Sequence, residues 1–234
     1  MLKINIITIF PDFFKTSVSY SILKRAQEKG LVEFNLLDLR QWSEDNYKTI
    51  DEHPYGGGAG MVMMLPPVYK ALQSLKFPSN VILPSAKGKI WNQGMAKQFS
   101  EFNEMTFIVP HFEGIDERVV ENLVNYEISI GPYVLSGGEI PTLSIIDSIV
   151  RLLPGVLGNP ESIIDESYSE IIPNSQEAGS LQATYLEYPQ YTKPSKFVTE
   201  EGKEWVVPEV LLSGDHKKID DWRKNKKKLV KINC

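Results

Sequence analysis

EISIGPYVLSGGE, residues 127–139, reads in three parts. Ile128, Ile130, Tyr133, Val134 and Leu135 make a short apolar run of strand-forming residues. Gly131-Pro132 interrupts that run, which a regular central strand does not tolerate. Ser136-Gly137-Gly138-Glu139 then opens an apolar-periodic helix with a polar side chain and exposed backbone N–H groups at its start. A kinked run of this kind turns main-chain groups toward a pocket, where they read a heteroaromatic ring without offering a charged side chain. The same strand, Gly-Gly junction and helix also make an ordinary tight turn, so the neighbourhood has to decide between the two.

Just upstream, 105–110 (MTFIVP) reads as a strand, followed by His111-Phe112-Glu113-Gly114. A helix then opens at Ile115-Asp116-Glu117, its acids complementing the helix dipole, with Val119, Val120, Leu123 and Val124 as its buried face. Further back, 81–83 is a strand running into a loop at 84–89, with a helix over 92–102. Near the N-terminus, 3–10 and 32–39 read as strands and 18–29 and 66–76 as helices, with Pro11-Asp12 ending the first strand and Gly30 closing the first helix. Downstream of the quoted stretch, Ile140, Leu143, Ile146, Ile149 and Leu153 recur at helical spacing. Strands alternating with helices predict an α/β fold, a parallel sheet covered on both faces. Ligands of such sheets sit beyond the carboxyl ends of the strands. The loops at 84–89, 110–114 and 131–138 all follow strand ends, and the expectation is that they line one pocket. The glycine-rich stretch PYGGGAGM (54–61) is neither a P-loop nor a dinucleotide fingerprint, since no Gly-Lys-Ser/Thr follows and the spacing fails at Met61. It reads as a surface loop or as one that closes on a ligand.

The chain of 234 residues is 42% hydrophobic and 24% charged, an ordinary globular composition for one large domain or one large plus one small. Its net charge of −5 is unevenly spread. Residues 215–234 carry eight Lys or Arg against three Asp, a local balance of +5 that leaves −10 on residues 1–214. A basic end on an acidic body suits a polyanion contacted through that end, or is simply the solvated face of a helix. Cys234, the sole cysteine, excludes an intrachain disulfide and a cysteine metal cluster. The apolar start ends too soon, at Pro11-Asp12, for a signal peptide, and other apolar runs are broken well short of a membrane span, as by Asp147 and Arg151. The expected location is the cytoplasm, with no membrane partner. Beyond Pro154 the texture turns polar and aperiodic to Pro194, a length that in a connecting segment means disorder or function. Helices are then predicted at 208–212 and 216–232, the latter basic and anchored by Trp222.

PYGGGAGM (54–61), EGIDERVVE (113–121), IGPYVLSGGEIP (130–141), IDSIVRLLPGVLG (146–158), YTKP (191–194) and PEVLLSGDHKKIDDWR (208–223) occur in that order. In this combination, and over nearly the whole length, the chain resembles the tRNA (guanine-N(1)-)-methyltransferase family, TrmD. The resemblance implies a SPOUT-type α/β fold, its parallel sheet flanked by helices and its C-terminal part tied in a trefoil knot, plus a small helical C-terminal domain. It divides the chain into a methyltransferase domain (1–158), an interdomain linker (159–200) and a tRNA-binding domain (201–234). It implies a homodimer in which the linker of one chain reaches the pocket of the other. The implied reaction moves a methyl group from S-adenosylmethionine to nitrogen-1 of the guanine on the 3′ side of the anticodon. By position, the donor pocket falls on Ile130, Gly131, Pro132, Tyr133, Val134 and Leu135, facing Pro110, with Ser85, Gly88 and Gly138 in its walls. The catalytic positions fall on Arg151 and on a linker carboxylate, Glu166 with Asp165 beside it, and Glu113 matches the glutamate tied to Mg2+ dependence. These types suit the chemistry: a carboxylate accepts the proton that leaves guanine nitrogen-1, and a cation steadies the charge building on the guanine oxygen.

Several positions depart from the family pattern. Its usual Gly-Arg-Tyr-Glu-Gly is Pro110-His111-Phe112-Glu113-Gly114 here, its Gly-Asp-Tyr-Val is Gly131-Pro132-Tyr133-Val134, its Ser-Pro-Gln-Gly is Ser85-Ala86-Lys87-Gly88, and its linker Asp is Glu166. These departures motivate a second reading, a diverged homologue that binds tRNA or S-adenosylmethionine with weak or altered methyl transfer.

Overall fold

The computed structural model describes residues 1–159, 166–169, 171–172 and 182–232. Two compact units adjoin in sequence, Met1–Pro160 and Glu161–Cys234. The first opens with β1 (Leu2–Thr8), α1 (Pro11–Ser17), α2 (Ser21–Glu28) and β2 (Val32–Asp38). A 3-10 turn leads to the two-residue strands β3 (Asp51–Glu52) and β4 (Val62–Met63), which close the base of the glycine-rich loop. Then follow α3 (Leu65–Ser74), β5 (Val81–Ile90), α4 (Gln93–Phe99), β6 (Glu104–Ile108), α5 (Glu117–Leu123), β7 (Tyr126–Ser129) and α6 (Glu139–Val150).

Strands β2-β1-β6-β5-β7 form one sheet in that order, every pairing parallel. The two-residue period of a strand divides its side chains between two cores. Ile4, Ile6, Met105, Phe107, Val109, Ile82 and Ile128 face one way, under Phe14 of α1, Leu23 and Ala26 of α2, Phe99 of α4 and Ile145, Ile146 and Ile149 of α6. Ile7, Ile9, Leu37, Ile108, Val81 and Leu83 face the other, under Val68, Ala71 and Leu72 of α3 and Val119 of α5. Burial on both faces explains the consecutive apolar residues Ile6-Ile7 of β1, Val81-Ile82-Leu83 of β5 and Phe107-Ile108 of β6. One polar row crosses the sheet centre. Asn5 is fully buried, donates to Glu104 Oε1 (2.9 Å) and Thr106 Oγ1 (3.1 Å), and accepts from Asn35 Nδ2 (3.0 Å).

Two elements differ from the sequence expectation. Residues 11–17 are helical, because Pro11 at the first helical position and Asp12 in the first turn start a helix rather than merely stopping a strand. The strand expected at 81–83 resumes after its loop: both Pro84 and Lys89 register against Ile128, so 85–88 form an excursion from a strand that runs on to Ile90.

In the second unit β8 (Ile171–Ile172) and β9 (Gln182–Leu186) precede a hairpin of β10 (Lys196–Val198) and β11 (Glu204–Val206). α7 (Glu209–Leu212), α8 (His216–Lys226) and β12 (Lys228–Ile232) follow. β12 pairs antiparallel with β9, and β9 with β8, so the stretch expected as linker supplies strands to the same small sheet as the chain's end. The small helical domain expected at 201–234 holds two strands, β11 and β12, as well as the helices α7 and α8. The helix expected to run to 232 stops at Lys226. Lys224, Lys226, Lys227 and Lys228 repel one another along a helix, while Leu229, Val230 and Ile232 suit a strand.

Candidate active site

β6, β5 and β7 are neighbours, and the loops that leave them, 85–88, 109–116 and 130–138, surround one cavity of about 330 Å³. Its walls come from 83–87, 110–115, 127–131 and 133–138, with Glu117, Val120 and Pro141 from the helices that follow. This is the position beyond the carboxyl ends of parallel strands where α/β sheets place ligands.

The wall at 130–138 leaves the sheet through a local polar switch. The Ser129 hydroxyl donates to Gly131 O (3.0 Å) and accepts from Gly131 N (3.3 Å), and Tyr133 N donates to Gly131 O (2.9 Å). Val134 is 88% exposed and Tyr133 53%, an open apolar rim above the cavity. The wall ends where Gly138 N donates to Pro110 O at 2.7 Å. A Cβ on Gly138 would stand 2.4 Å from Pro110 Cδ, so only glycine permits that approach. Between Ile130 and Gly138 no side chain is charged, and the groups presented are main-chain ones. Such a lining suits a neutral heteroaromatic ring or a sulfonium better than a phosphate.

The second wall, 110–114, is a tight turn. Gly114 N donates to His111 O (3.1 Å), Phe112 takes a left-handed backbone (φ 58°), and Glu113 N donates to Met61 O (3.0 Å). The glycine-rich loop is thereby fastened beside Glu113, since Met63 N also donates to Gly114 O and Asp116 N to Met63 O. Asp116 caps α5, accepting from Arg118 N (3.0 Å), Nε (2.9 Å) and Nη2 (2.6 Å). The Arg118 side chain holds the Asp116 carboxyl below its ordinary value against the opposing effect of burial. Arg118 is raised in turn. In the third wall Lys87 reaches Glu117 at 3.3 Å, and His111 Nδ1 lies 3.2 Å from Glu139 Oε1 across the first two walls.

Of the residues singled out by sequence, Pro110, Ile130, Gly131, Tyr133, Val134, Leu135, Ser85, Gly138 and Glu113 line this cavity. Pro132 is exposed on the same loop but outside the lining. Gly88 also lies outside it and serves packing: a Cβ there would stand 2.4 Å from Ile128 N. Arg151 caps the far end of α6, about 18 Å along the axis from its first turn, so it is not brought to the cavity of its own chain. Glu166 lies in the second unit, where its carbonyl accepts from Ser169 N (3.1 Å) and the neighbouring Ser167 Oγ accepts from Glu187 N (3.0 Å). Asp165 falls outside the described residues. The sequence reading gives no site role to Glu117, which lines the cavity, or to Glu139, which lies outside the lining but meets His111. Both are first-turn acids of helices opening directly after pocket loops, a signal indistinguishable in sequence from dipole compensation. Among the described residues no three His, Cys, Asp or Glu side chains converge to hold a metal. Glu113 offers a single carboxylate, the kind of ligand Mg2+ combines with substrate oxygens and water. No helix of the described residues is long and apolar enough to cross a membrane.

The profile of a family described as tRNA (Guanine-1)-methyltransferase TrmD matches residues 2–232. A protein of Dictyoglomus turgidum named tRNA (guanine-N(1)-)-methyltransferase is 48% identical over 225 residues, 96% of this chain and 84% of its own length. Proteins with the same name from Lactobacillus delbrueckii subsp. bulgaricus and Clostridioides difficile are 47% and 45% identical, each over 95% of this chain and over 82% and 91% of their own lengths.

Proposed function

The chain belongs to the tRNA (Guanine-1)-methyltransferase TrmD family, and from that premise we propose how its residues divide the work of methylating nitrogen-1 of guanine in tRNA. The methyl donor is S-adenosylmethionine, and the guanine is the one on the 3′ side of the anticodon. The observation that carries this reading is the convergence of three loops, rich in main-chain donors and acceptors, on one cavity at the ends of β6, β5 and β7. Ile130 to Leu135, Pro110, Ser85 and Gly138 hold the donor, its adenine against backbone groups. Pro132 and Gly88 shape the loops that do so.

The donor supplies the methyl group, whose bond to sulfur breaks as the bond to nitrogen-1 forms. The N–H proton of guanine leaves to a carboxylate, Glu166 with Asp165 as its neighbour, and Arg151 steadies the negative charge on the guanine oxygen. Glu113 would hold Mg2+, which would supply further positive charge to the site. Because Arg151 closes the far end of α6, the working site takes Arg151 and Glu166 from a second copy of the chain, which makes the enzyme a homodimer. The C-terminal part of the domain at 1–158 is threaded as a trefoil knot, residues 201–234 grip tRNA through their lysines, residues 159–200 connect the two, and the enzyme works in the cytoplasm.

Transfer of labelled methyl from S-adenosylmethionine to unmodified tRNA with guanine at that position tests the reading. Turnover is expected with such tRNA and none when the guanine is replaced by adenine. Glu166→Ala is expected to lower kcat at least a hundredfold, the scale of a lost general base, with Asp165→Ala affecting it less. If neither change lowers kcat at saturating donor, the base is a different group.

A further inference from the structure

We propose that His111 and Glu139 form a clamp that sets the donor pocket, making both positioning residues for donor binding rather than catalytic ones. His111 Nδ1 lies 3.2 Å from Glu139 Oε1, and the two side chains are only 26% and 12% exposed. A carboxylate accepts and does not donate, so the proton sits on Nδ1 and the tautomer is set by this contact. The imidazole is held on other sides as well. Phe10, just after β1, meets it edge-on at 5.0 Å, and Phe112 does so at 5.2 Å. Its backbone N donates to Met63 Sδ of β4 at 3.2 Å. His111 thus ties three elements to the pocket turn, the end of β1 and the first turn of α6 through its ring and the exit of the glycine-rich loop through its backbone N–H.

What lies beneath the pair connects it to the ligand wall. A Cβ on Gly137 would stand 2.2 Å from Glu139 Oε2 and 2.5 Å from His111 Nδ1. The carboxylate and the imidazole therefore press on the bare α-carbon of a residue that lines the cavity. One residue on, Gly138 N donates to Pro110 O at 2.7 Å. Two of the cavity's walls are joined by one backbone link and one side-chain link, and the side-chain link holds Gly137 at its depth. Loss of the pair frees Gly137 to move while the backbone link remains, so the cost falls on the fit of the donor before it falls on the fold. A first-turn Glu that merely complements the α6 dipole would act on stability alone. The clamp rests on the reading of this cavity as the donor site.

Calorimetric titration of the full chain with S-adenosylhomocysteine, paired with initial rates, tests it. His111→Ala and Glu139→Ala are each expected to weaken binding about tenfold, the size of a lost charge-assisted hydrogen bond. The double variant is expected to bind no worse than the weaker single one, because both remove one interaction. His111→Gln, whose amide still donates to Glu139, is expected to recover most of the loss, and KM for the donor to move more than kcat. Glu139→Asp keeps the first-turn charge but is one methylene too short to reach, and it is expected to bind like Glu139→Ala. It carries the test even where an alanine variant fails to fold. Wild-type affinity in Glu139→Asp, losses that multiply in the double variant, or no recovery in His111→Gln would each overturn the clamp. Absence of S-adenosylhomocysteine uptake by the wild-type chain would overturn the donor-site reading and the clamp with it. Uptake by wild type and by all variants alike would overturn the clamp alone.

Discussion

Asp116 serves three donors of one residue, the main-chain N, Nε and Nη2 of Arg118, at the point where a pocket wall becomes α5. With its folded value lowered, Asp116 contributes stability that is present above the ordinary carboxylate range near 4 and is lost as pH falls through the folded value. Asp116→Asn is therefore expected to lower Tm at neutral pH and to flatten the fall in Tm between about pH 5 and pH 2. A melting series at fixed ionic strength checks it, and an acid limb as steep as in wild type would refute it. At this scale, the glutamates at 117 and 139 show how a residue type can be legible and its job not. Each was visible as an acid opening a helix, yet the Lys87 and His111 they meet come from other loops, 30 and 28 residues away in sequence.

Elements were legible where one period or one apolar run held without interruption. β1 buries Leu2, Ile4, Ile6 and Ile7, β6 buries Met105 to Ile108, and α6 repeats aliphatic residues at helical spacing. They are ambiguous where local cues compete: Pro11 both ends β1 and begins α1, and the lysine-rich end of α8 gives way to β12, which pairs with β9. The polar row through Asn5 belongs to this scale, since it joins three adjacent strands of an otherwise apolar sheet. Asn5→Val is expected to cost about 2–3 kcal/mol by leaving buried Thr106 and half-buried Asn35 without their partner, read as a lowered urea midpoint. Asn35→Ala, at a half-buried position, is expected to cost less. Equal costs would mean that the row is not organised around Asn5.

A single chain brings the three loops around its cavity together, while Arg151 sits at the far end of α6 and outside that lining. The expected consequence is subunit complementation. Gly138→Ala should abolish donor uptake in its own pocket, and Glu166→Ala should disable the pocket of a second copy. Co-expressed, the two inactive variants are expected to recover roughly a quarter of wild-type activity, as random pairing puts one working site in half of the dimers. No recovery, or sedimentation of the wild-type chain only as a 26.5 kDa monomer, would exclude the two-copy site.

From residue types and spacing alone came the parallel α/β architecture, the three pocket loops and the family, because each rests on short-range pattern: apolar period, Gly-Pro interruption, motif order. Only the tertiary structure decided that 85–88 leave a strand which then resumes, that the two-residue strand β4 brings the glycine-rich loop to Glu113, and that His111 meets Glu139 over Gly137. Each of these depends on which strands lie side by side and how closely two backbones approach. A linear sequence encodes those distances only through the packing of every other element at once.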